Sequence, residues 1–123
     1  HQARADTLRE VTDWFAGICG NDSANSQLQR AQQWAHAAAF GSPDSPRIKG
    51  FGLAGFQYLR MLFGGNTTKP DTHIIRFVEN AIGMRATPAK TLYFLERAAC
   101  RSAVSLRDFD TTTWENSARL RTR

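Results

Sequence analysis

Apolar residues recur at every third or fourth position along most of this chain, and this spacing predicts helices. The first apolar face is formed by Leu8, Val11, Phe15 and Ile18. The segment Thr7-Leu8-Arg9-Glu10 fits a capping box, and Gly20 is placed to end the helix. The pattern therefore predicts a first helix over 8–19.

A second helical pattern follows, and its inner face consists mainly of small residues. That face is formed by Leu28, Ala31, Ala35 and Ala38. The polar residues over 21–26 offer several N-caps, and the pattern ends at Gly41. The next segment, Gly41-Ser42-Pro43-Asp44-Ser45-Pro46, holds two prolines, which exclude a regular helix. It predicts a loop.

A tight Gly50-Phe51-Gly52 turn introduces the most apolar stretch of the chain. This stretch predicts a third helix over 53–63, which Gly64-Gly65 would end. Its expected buried positions are Phe56, Leu59, Leu62 and Phe63. Because the stretch is apolar nearly all round, we expect this helix to lie at the centre of the fold.

Three more helices are predicted after this one. The fourth begins at the N-cap Asp71, ends at Gly83, and has an inner face of Ile74, Ile75, Val78 and Ile82. Thr87-Pro88 starts the fifth, in which Leu92, Leu95 and Ala99 repeat. Asp110 is expected to cap a short sixth helix that carries Trp114. Since no segment alternates with period two, the prediction is an all-α bundle forming a single helical domain over 1–123.

The composition limits the classes of protein that this chain can belong to. It has 123 residues, 41% of them hydrophobic, which is typical of one globular domain. No apolar run approaches the ~20 residues of a spanning helix, so no membrane partner is expected. The start, His1-Gln2-Ala3-Arg4, is not an initiator sequence, and no apolar signal region follows it. We expect a fragment, a processed product or a trimmed chain.

The cysteine content predicts a reduced protein without a cofactor. Only Cys19 and Cys100 are present, which is too few for a disulfide framework and lacks the close spacing of a zinc or iron–sulfur site. We therefore expect no metal, no cofactor and an intracellular location, in the cytoplasm or the nucleoid.

Positive charge is concentrated in the second part of the chain. Residues 1–46 carry three basic and five acidic side chains, a net charge of −2, whereas residues 47–123 carry thirteen and six, a net charge of +7. A polyanion would dock on the second part. The alternative is an ordinary solvated basic surface.

The Gly-x-Gly turn is a candidate seat for a phosphate group. Such a turn leaves backbone N–H groups unpaired at the start of the next helix, where the helix dipole also favours negative charge. Glycine lets the DNA backbone approach closely and permits positive φ angles. The residues predicted to contact DNA are Arg47, Lys49, Gly50, Phe51, Gly52, Leu53, Ala54 and Arg60.

A wider pattern resembles a known superfamily. Ile48-Lys49-Gly50-Phe51-Gly52, an apolar helix, Gly65 and Pro70-Asp71-Thr72-His73-Ile74-Ile75-Arg76 follow one another in that order. This pattern resembles the helix-hairpin-helix DNA glycosylases of base excision repair, in which a Leu-Pro-Gly-Val-Gly hairpin precedes a helix, a glycine turn and Val-Asp-Thr-His-x-x-Arg. The resemblance covers residues 28–82 and extends loosely to Asp110-Thr111-Thr112-Thr113-Trp114, which looks like the family's late Asp-x-x-x-Trp helix.

The resemblance implies a DNA-glycosylase-like fold, duplex DNA as partner, and roles for three residues of the segment at 47–83. Asp71 would be the family's invariant aspartate and the candidate catalytic residue, and His73 and Arg76 would anchor its helix. Breaking an N-glycosidic bond builds positive charge on the sugar, which a carboxylate beneath the ribose stabilises while it orients or deprotonates a water. The alternative role for Asp71 is an ordinary N-cap.

Three departures from the family pattern restrict the expected activity. Ala54 stands where bifunctional members carry the lysine that forms a Schiff base, so no lyase reaction is expected. The hairpin has Lys49 in place of proline, and Lys49 would add a phosphate contact. The chain is also shorter than the family fold, whose N-terminal helices supply much of the base pocket. A protein partner or a missing segment would complete it.

Two functions remain as hypotheses. The first is a DNA-binding domain resembling a monofunctional DNA glycosylase, a repair hydrolase of N-glycosidic bonds. The second is a non-catalytic helical interaction module, or a fragment that keeps the fold, which would bind protein or nucleic acid through exposed aromatic side chains. The candidates for that surface are Trp34, Phe40 and Phe51.

Overall fold

The computed structural model describes residues 2–121, with side chains described over 2–112 and at 115. Within residues 2–121 the regular structure is entirely helical. The six helices are α1 (Gln2–Cys19), α2 (Ala24–Ala37), α3 (Leu53–Leu62), α4 (Thr72–Ile82), α5 (Pro88–Ser102) and α6 (Leu106–Arg121). The all-α prediction is confirmed, and within the described chain no helix is both long and apolar enough to cross a membrane.

The helices belong to two compact units, His1–Gly65 and Asn66–Arg123. The first unit contains α1, α2 and α3, and the second contains α4, α5 and α6. Each has an apolar cluster of its own. A single domain over 1–123 stays a prediction.

The core of the first unit is built around an aromatic cluster. The Trp34 ring lies edge-on to Phe15, at 5.0 Å between ring centroids, and to Phe56, at 5.4 Å. Its indole N–H donates to the backbone oxygen of Asp44 at 3.0 Å, which holds the proline loop against α2. Trp34 is only 7% exposed, so its prediction as a surface aromatic is wrong. A buried indole N–H needs a hydrogen-bond acceptor, and here the backbone carbonyl of a loop residue provides it.

The inner faces of α2 and α3 differ from the predicted ones at two leucines. Leu28 and Leu62 are exposed, whereas Ala35, Phe56 and Met61 are buried. The helical spacing places both leucines on an apolar stripe, but spacing alone does not determine how far a neighbouring element covers that stripe. The predictions that Leu28 and Leu62 are buried are therefore wrong.

A network of polar contacts joins α3 to the end of α2. The guanidinium of Arg60 donates to the Ala35 oxygen at 2.8 Å and to the Gln57 side-chain oxygen at 3.0 Å. Gly65 donates its N–H to the Arg60 oxygen at 2.9 Å. The chain is tightly packed here, because a Cβ atom on Gly65 would lie 2.9 Å from the backbone oxygens of Ala35 and Arg60.

Replacing Gly65 with alanine is expected to destabilise the first unit by ~1–3 kcal/mol, since backbone atoms cannot yield as a flexible side chain would. Urea unfolding followed by tryptophan fluorescence measures this change, because Trp14 and Trp34 lie in this unit. The matched control is Gly17→Ala, at an exposed helix-interior site with nothing within 4 Å of the added Cβ. It should stabilise the protein by up to ~1 kcal/mol. Equal stability of Gly65→Ala and the parent would contradict the tight contact.

The core of the second unit consists of aliphatic side chains from all three of its helices. Its buried members are Ile74, Val78, Leu95 and Leu106, with Ala99 and Phe109 packed against them. The predicted caps of α4 and α5 are confirmed, because the Asp71 carboxylate accepts from the Ile74 N–H and the Thr87 hydroxyl accepts from the Lys90 N–H. Ile82 is exposed in the last turn of α4, so its prediction as an inner residue is wrong.

Two helix starts differ from the prediction, and the residues expected to cap these helices make other contacts. α1 begins at Gln2, and the Thr7 hydroxyl does not cap it but contacts the backbone oxygens of Ala3 (3.0 Å) and Lys49 (2.9 Å). α6 begins at Leu106, four residues before Asp110. The side chain of Trp114 lies outside the described residues.

Candidate functional site

The segment before α3 forms a tight turn. The Phe51 N–H donates to the Ile48 oxygen at 3.1 Å, and Gly50 has a φ of +87°. This left-handed conformation favours glycine. A Cβ atom at Gly50 would also lie 2.8 Å from the Thr7 hydroxyl oxygen. Position 50 therefore requires glycine for both the turn and the packing.

Gly52 has a different role from Gly50. It is the N-cap of α3 with a φ of −91°, which any residue adopts, and no side chain caps the helix there. A Cβ atom on Gly52 would have nothing within 4 Å. The expectation of a positive φ is thus met at Gly50 and not at Gly52. What glycine provides at position 52 is open space beside the first turn of α3.

The other residues predicted to contact DNA differ in how far they are exposed. Arg47 and Lys49 are exposed, and the backbone of Lys49 is held by the Thr7 hydroxyl. Phe51, Leu53 and Ala54 are half-buried. The Arg60 guanidinium takes part in the contact between α2 and α3 described above, and its DNA contact stays a prediction.

The segment 38–52 between α2 and α3 contains no helix. The loop predicted from the two prolines is therefore confirmed, and this part of the described chain departs from the helix-hairpin-helix pattern, in which a helix lies directly before the turn. A groove of about 900 Å³ lies between the proline loop and the turn. Its walls include Phe40, Pro46, Arg47, Lys49 and Phe51. The groove depends on how the loop folds back, so sequence spacing could not predict it.

Asp71 both caps α4 and keeps part of its carboxylate accessible. One carboxylate oxygen, Oδ1, accepts from the Ile74 N–H at 3.1 Å, and the other, Oδ2, lies 3.9 Å from the Lys69 Nζ. The side chain is 26% exposed. The Asp71 N–H donates to the Lys69 oxygen at 2.8 Å, which turns the chain sharply into the helix.

Asp110 is buried and holds the segment that precedes Asp71. It is 1% exposed, and its carboxylate accepts hydrogen bonds from the Thr68 hydroxyl, from the Lys69 N–H at 3.1 Å and from the Lys69 Nζ at 2.5 Å. The prediction that Asp110 caps the sixth helix is wrong. That helix starts earlier, where the Ser105 hydroxyl accepts from the Asp108 N–H at 3.4 Å, and Asp110 turns inward from its second turn.

Lys69 connects the two carboxylates. Its Nζ lies between Asp110 and Asp71, and its side chain is one-fifth exposed. We call Thr68, Lys69, Asp71 and Asp110 the aspartate cluster. The sequence contains no local signal for the contacts of Thr68 and Lys69 with Asp110, since these contacts join residues 42 and 41 positions apart. The only hint was that Lys69 precedes the Pro70-Asp71 pair of the family-like segment.

The remaining residues of the family-like segment and the cysteines have distinct environments. His73 is half-buried on α4 and Arg76 is exposed there, so their anchoring roles stay predictions. Cys19 and Cys100 are free thiols, and burial raises the pKa of Cys19. Over the part of the chain that the structure describes, no three His, Cys, Asp or Glu residues are grouped to hold a metal ion.

Residues 47–118 match the model of a family described as Domain of unknown function (DUF8548). The match spans more than half of the chain, so the chain belongs to this family. The matched region includes the turn before α3 and the whole aspartate cluster. No curated protein and no solved structure matches the chain.

Proposed function

We propose that this chain is a DNA-binding helical domain that grips the phosphate backbone of duplex DNA at the turn before α3. One observation carries the proposal. α3 begins at a glycine with no side-chain cap and with open space at its Cβ position, and exposed Arg47 and Lys49 lie just before it.

The chemistry of this turn suits a phosphate group. The first N–H groups of a helix have no partner within the helix, and the helix dipole places partial positive charge at the same end. A phosphate oxygen that accepts from these groups completes the cap, and nearby cations strengthen the contact. Backbone contacts of this kind do not read base sequence. We therefore expect binding that is independent of sequence.

Binding of duplex DNA is expected to weaken as salt rises, because residues 47–123 carry a net charge of +7 and would release counterions from several phosphates. Lys49→Ala should lower the slope of log K against log salt by about one unit. Fluorescence anisotropy at several salt concentrations measures the slope. The matched control is Arg9→Ala, which removes one positive charge at an exposed site of α1, outside residues 47–123, and should leave the slope unchanged. An affinity that does not change with salt, or equal slopes for Lys49→Ala and the parent, would contradict the proposal.

Gly52→Val tests, in the same assay, whether the DNA backbone approaches closely at the first turn of α3. Valine at Gly52 meets open space within the protein, so folding stability should change by no more than ~1 kcal/mol. The added side chain would occupy the place of the phosphate, and duplex affinity should fall by ~10-fold or more. If this variant folds and binds DNA like the parent, the proposed phosphate-binding site is assigned to the wrong residues.

A second function is proposed for Asp71, namely hydrolysis of an N-glycosidic bond without strand cleavage. The resemblance to monofunctional DNA glycosylases supports this proposal, and so does the partial exposure of a carboxylate whose Oδ1 is already engaged as a cap. Ala54 lacks the amine that a lyase reaction needs. The alternative remains a non-catalytic interaction module, for which only Phe40 of the three predicted aromatics is exposed.

A further inference from the structure

We propose that the groove beside the turn binds an unpaired nucleobase, so that the chain binds single-stranded DNA more tightly than phosphate contacts alone would allow. This inference goes beyond the duplex grip proposed above, since it concerns the bases and not the backbone. It rests on three features of the groove: its size, an exposed aromatic ring, and the sign of its charge.

The groove has the dimensions of a ligand site. Its volume of about 900 Å³ lies within the range of 300–1,000 Å³ that is typical for small-molecule sites. The proline loop forms one wall and the residues of the turn form the other. A planar base on a flexible strand would fit between these walls, whereas a paired base within a duplex could not reach them.

Two aromatic residues line the groove, and of these Phe40 is exposed whereas Phe51 is half-buried. The Phe40 side chain is 44% exposed, so part of the ring is open to a ligand in the groove. The ring is held edge-on against the fully buried Phe56, at 5.5 Å between centroids. Because the ring is already held in place, stacking of a base on it costs little side-chain entropy, and most of the stacking free energy contributes to binding. Stacking of this kind accepts any base.

The charge of the groove selects an anionic occupant. Among the described residues that line it, Arg47 and Lys49 carry charge and no acidic residue does. Asp44 belongs to the same loop but does not line the groove. A groove that is lined by an exposed ring and by two cations matches a base with its adjoining phosphates, and this combination is typical of stacking sites for single strands. A neutral apolar peptide would use the ring and leave both cations without a role.

The test compares two single strands with equal numbers of phosphates. One is an oligothymidylate of about 12 nucleotides, within the usual footprint of such sites, and the other is the same backbone without any bases. We expect the parent protein to bind the oligothymidylate about fivefold more tightly or better, which is the lower limit for one stacked base. Phe40→Leu should abolish this preference without changing binding of the base-free strand or of duplex DNA. Phe40→Tyr should keep it.

The control and a second measurement make the outcome decisive. Phe94→Leu changes another exposed phenylalanine, in the second unit, and should leave the preference unchanged. A strand carrying one 2-aminopurine should lose fluorescence on binding the parent, a readout that requires no variant. Equal affinity for the two strands, an unchanged preference in folded Phe40→Leu, or undiminished 2-aminopurine fluorescence would each overturn the inference. Duplex binding by the Lys49 and Gly52 variants reports separately on the proposed function.

Discussion

Asp110→Ala is expected to destabilise the second unit by about 3 kcal/mol or more. The substitution removes a carboxylate that accepts three hydrogen bonds at 1% exposure. It leaves the fully buried Thr68 hydroxyl and the Lys69 N–H without that acceptor, and each such loss costs ~1–3 kcal/mol. The loss of the ion pair adds to this cost, since the Lys69 side chain is only one-fifth exposed and the Asp71 carboxylate lies 3.9 Å from its Nζ.

Hydrogen exchange of the α4 and α5 amides, combined with urea unfolding followed by circular dichroism, measures this effect within the second unit. Asp110→Asn keeps the shape of the side chain and one acceptor oxygen, so it should lower the free energy of unfolding by less than Asp110→Ala does. The matched control is Asp108→Ala, two positions earlier in α6 and exposed, which should cost under ~1 kcal/mol. If Asp110→Ala and Asp108→Ala destabilise equally, the buried carboxylate does not organise this unit.

Asp71→Asn is expected to separate stability from chemistry. Asparagine is as good an N-cap as aspartate, so unfolding free energy should change by no more than ~0.5 kcal/mol. The substitution removes the negative charge that would face the positive sugar of the transition state. If the parent releases a base from damaged DNA, the variant should do so at least ~100-fold more slowly while DNA affinity is retained. Single-turnover base release on lesion-containing duplexes measures the rate.

The product of that reaction gives an independent check. With Ala54 in place of a lysine, the parent should leave an intact abasic strand that breaks only after alkali treatment. Strand breakage without alkali would contradict the monofunctional proposal, and base release by Asp71→Asn at the parent rate would contradict the role of Asp71. Asp108→Asn, the same change at an exposed site, is the control. If the parent releases no base from any lesion, Asp71 acts only as the cap of α4.

The aspartate cluster shows why the candidate site was only partly predictable. Asp71 could be identified from its neighbours, because an N-cap contacts the N–H three residues later and the family-like motif is continuous in sequence. Lys69 and Thr68 could not, because their partner Asp110 lies 41 or 42 positions away. A loop residue acquires a role only when another helix packs against it.

The same distinction applies to the groove and the aromatic side chains. Trp34, Phe40 and Phe51 are all predicted to lie on an exposed surface, yet Trp34 is buried, Phe51 is half-buried and only Phe40 of these three is exposed. Their exposure depends on the path of the proline loop, whose Asp44 oxygen meets the Trp34 indole. Hydrophobicity predicts that a side chain can be buried, and it does not predict what will cover it.

The sequence by itself determined the all-α class, the N-caps at Asp71 and Thr87, and the helix end at Gly83, because these features arise from contacts between residues a few positions apart. Only the tertiary structure decided that Asp110 is a buried acceptor instead of a cap, that Arg60 joins α3 to α2, and that the described chain forms two compact units. Those features depend on which surfaces meet. A residue's partner across tens of positions is set by packing and desolvation, which local spacing does not encode.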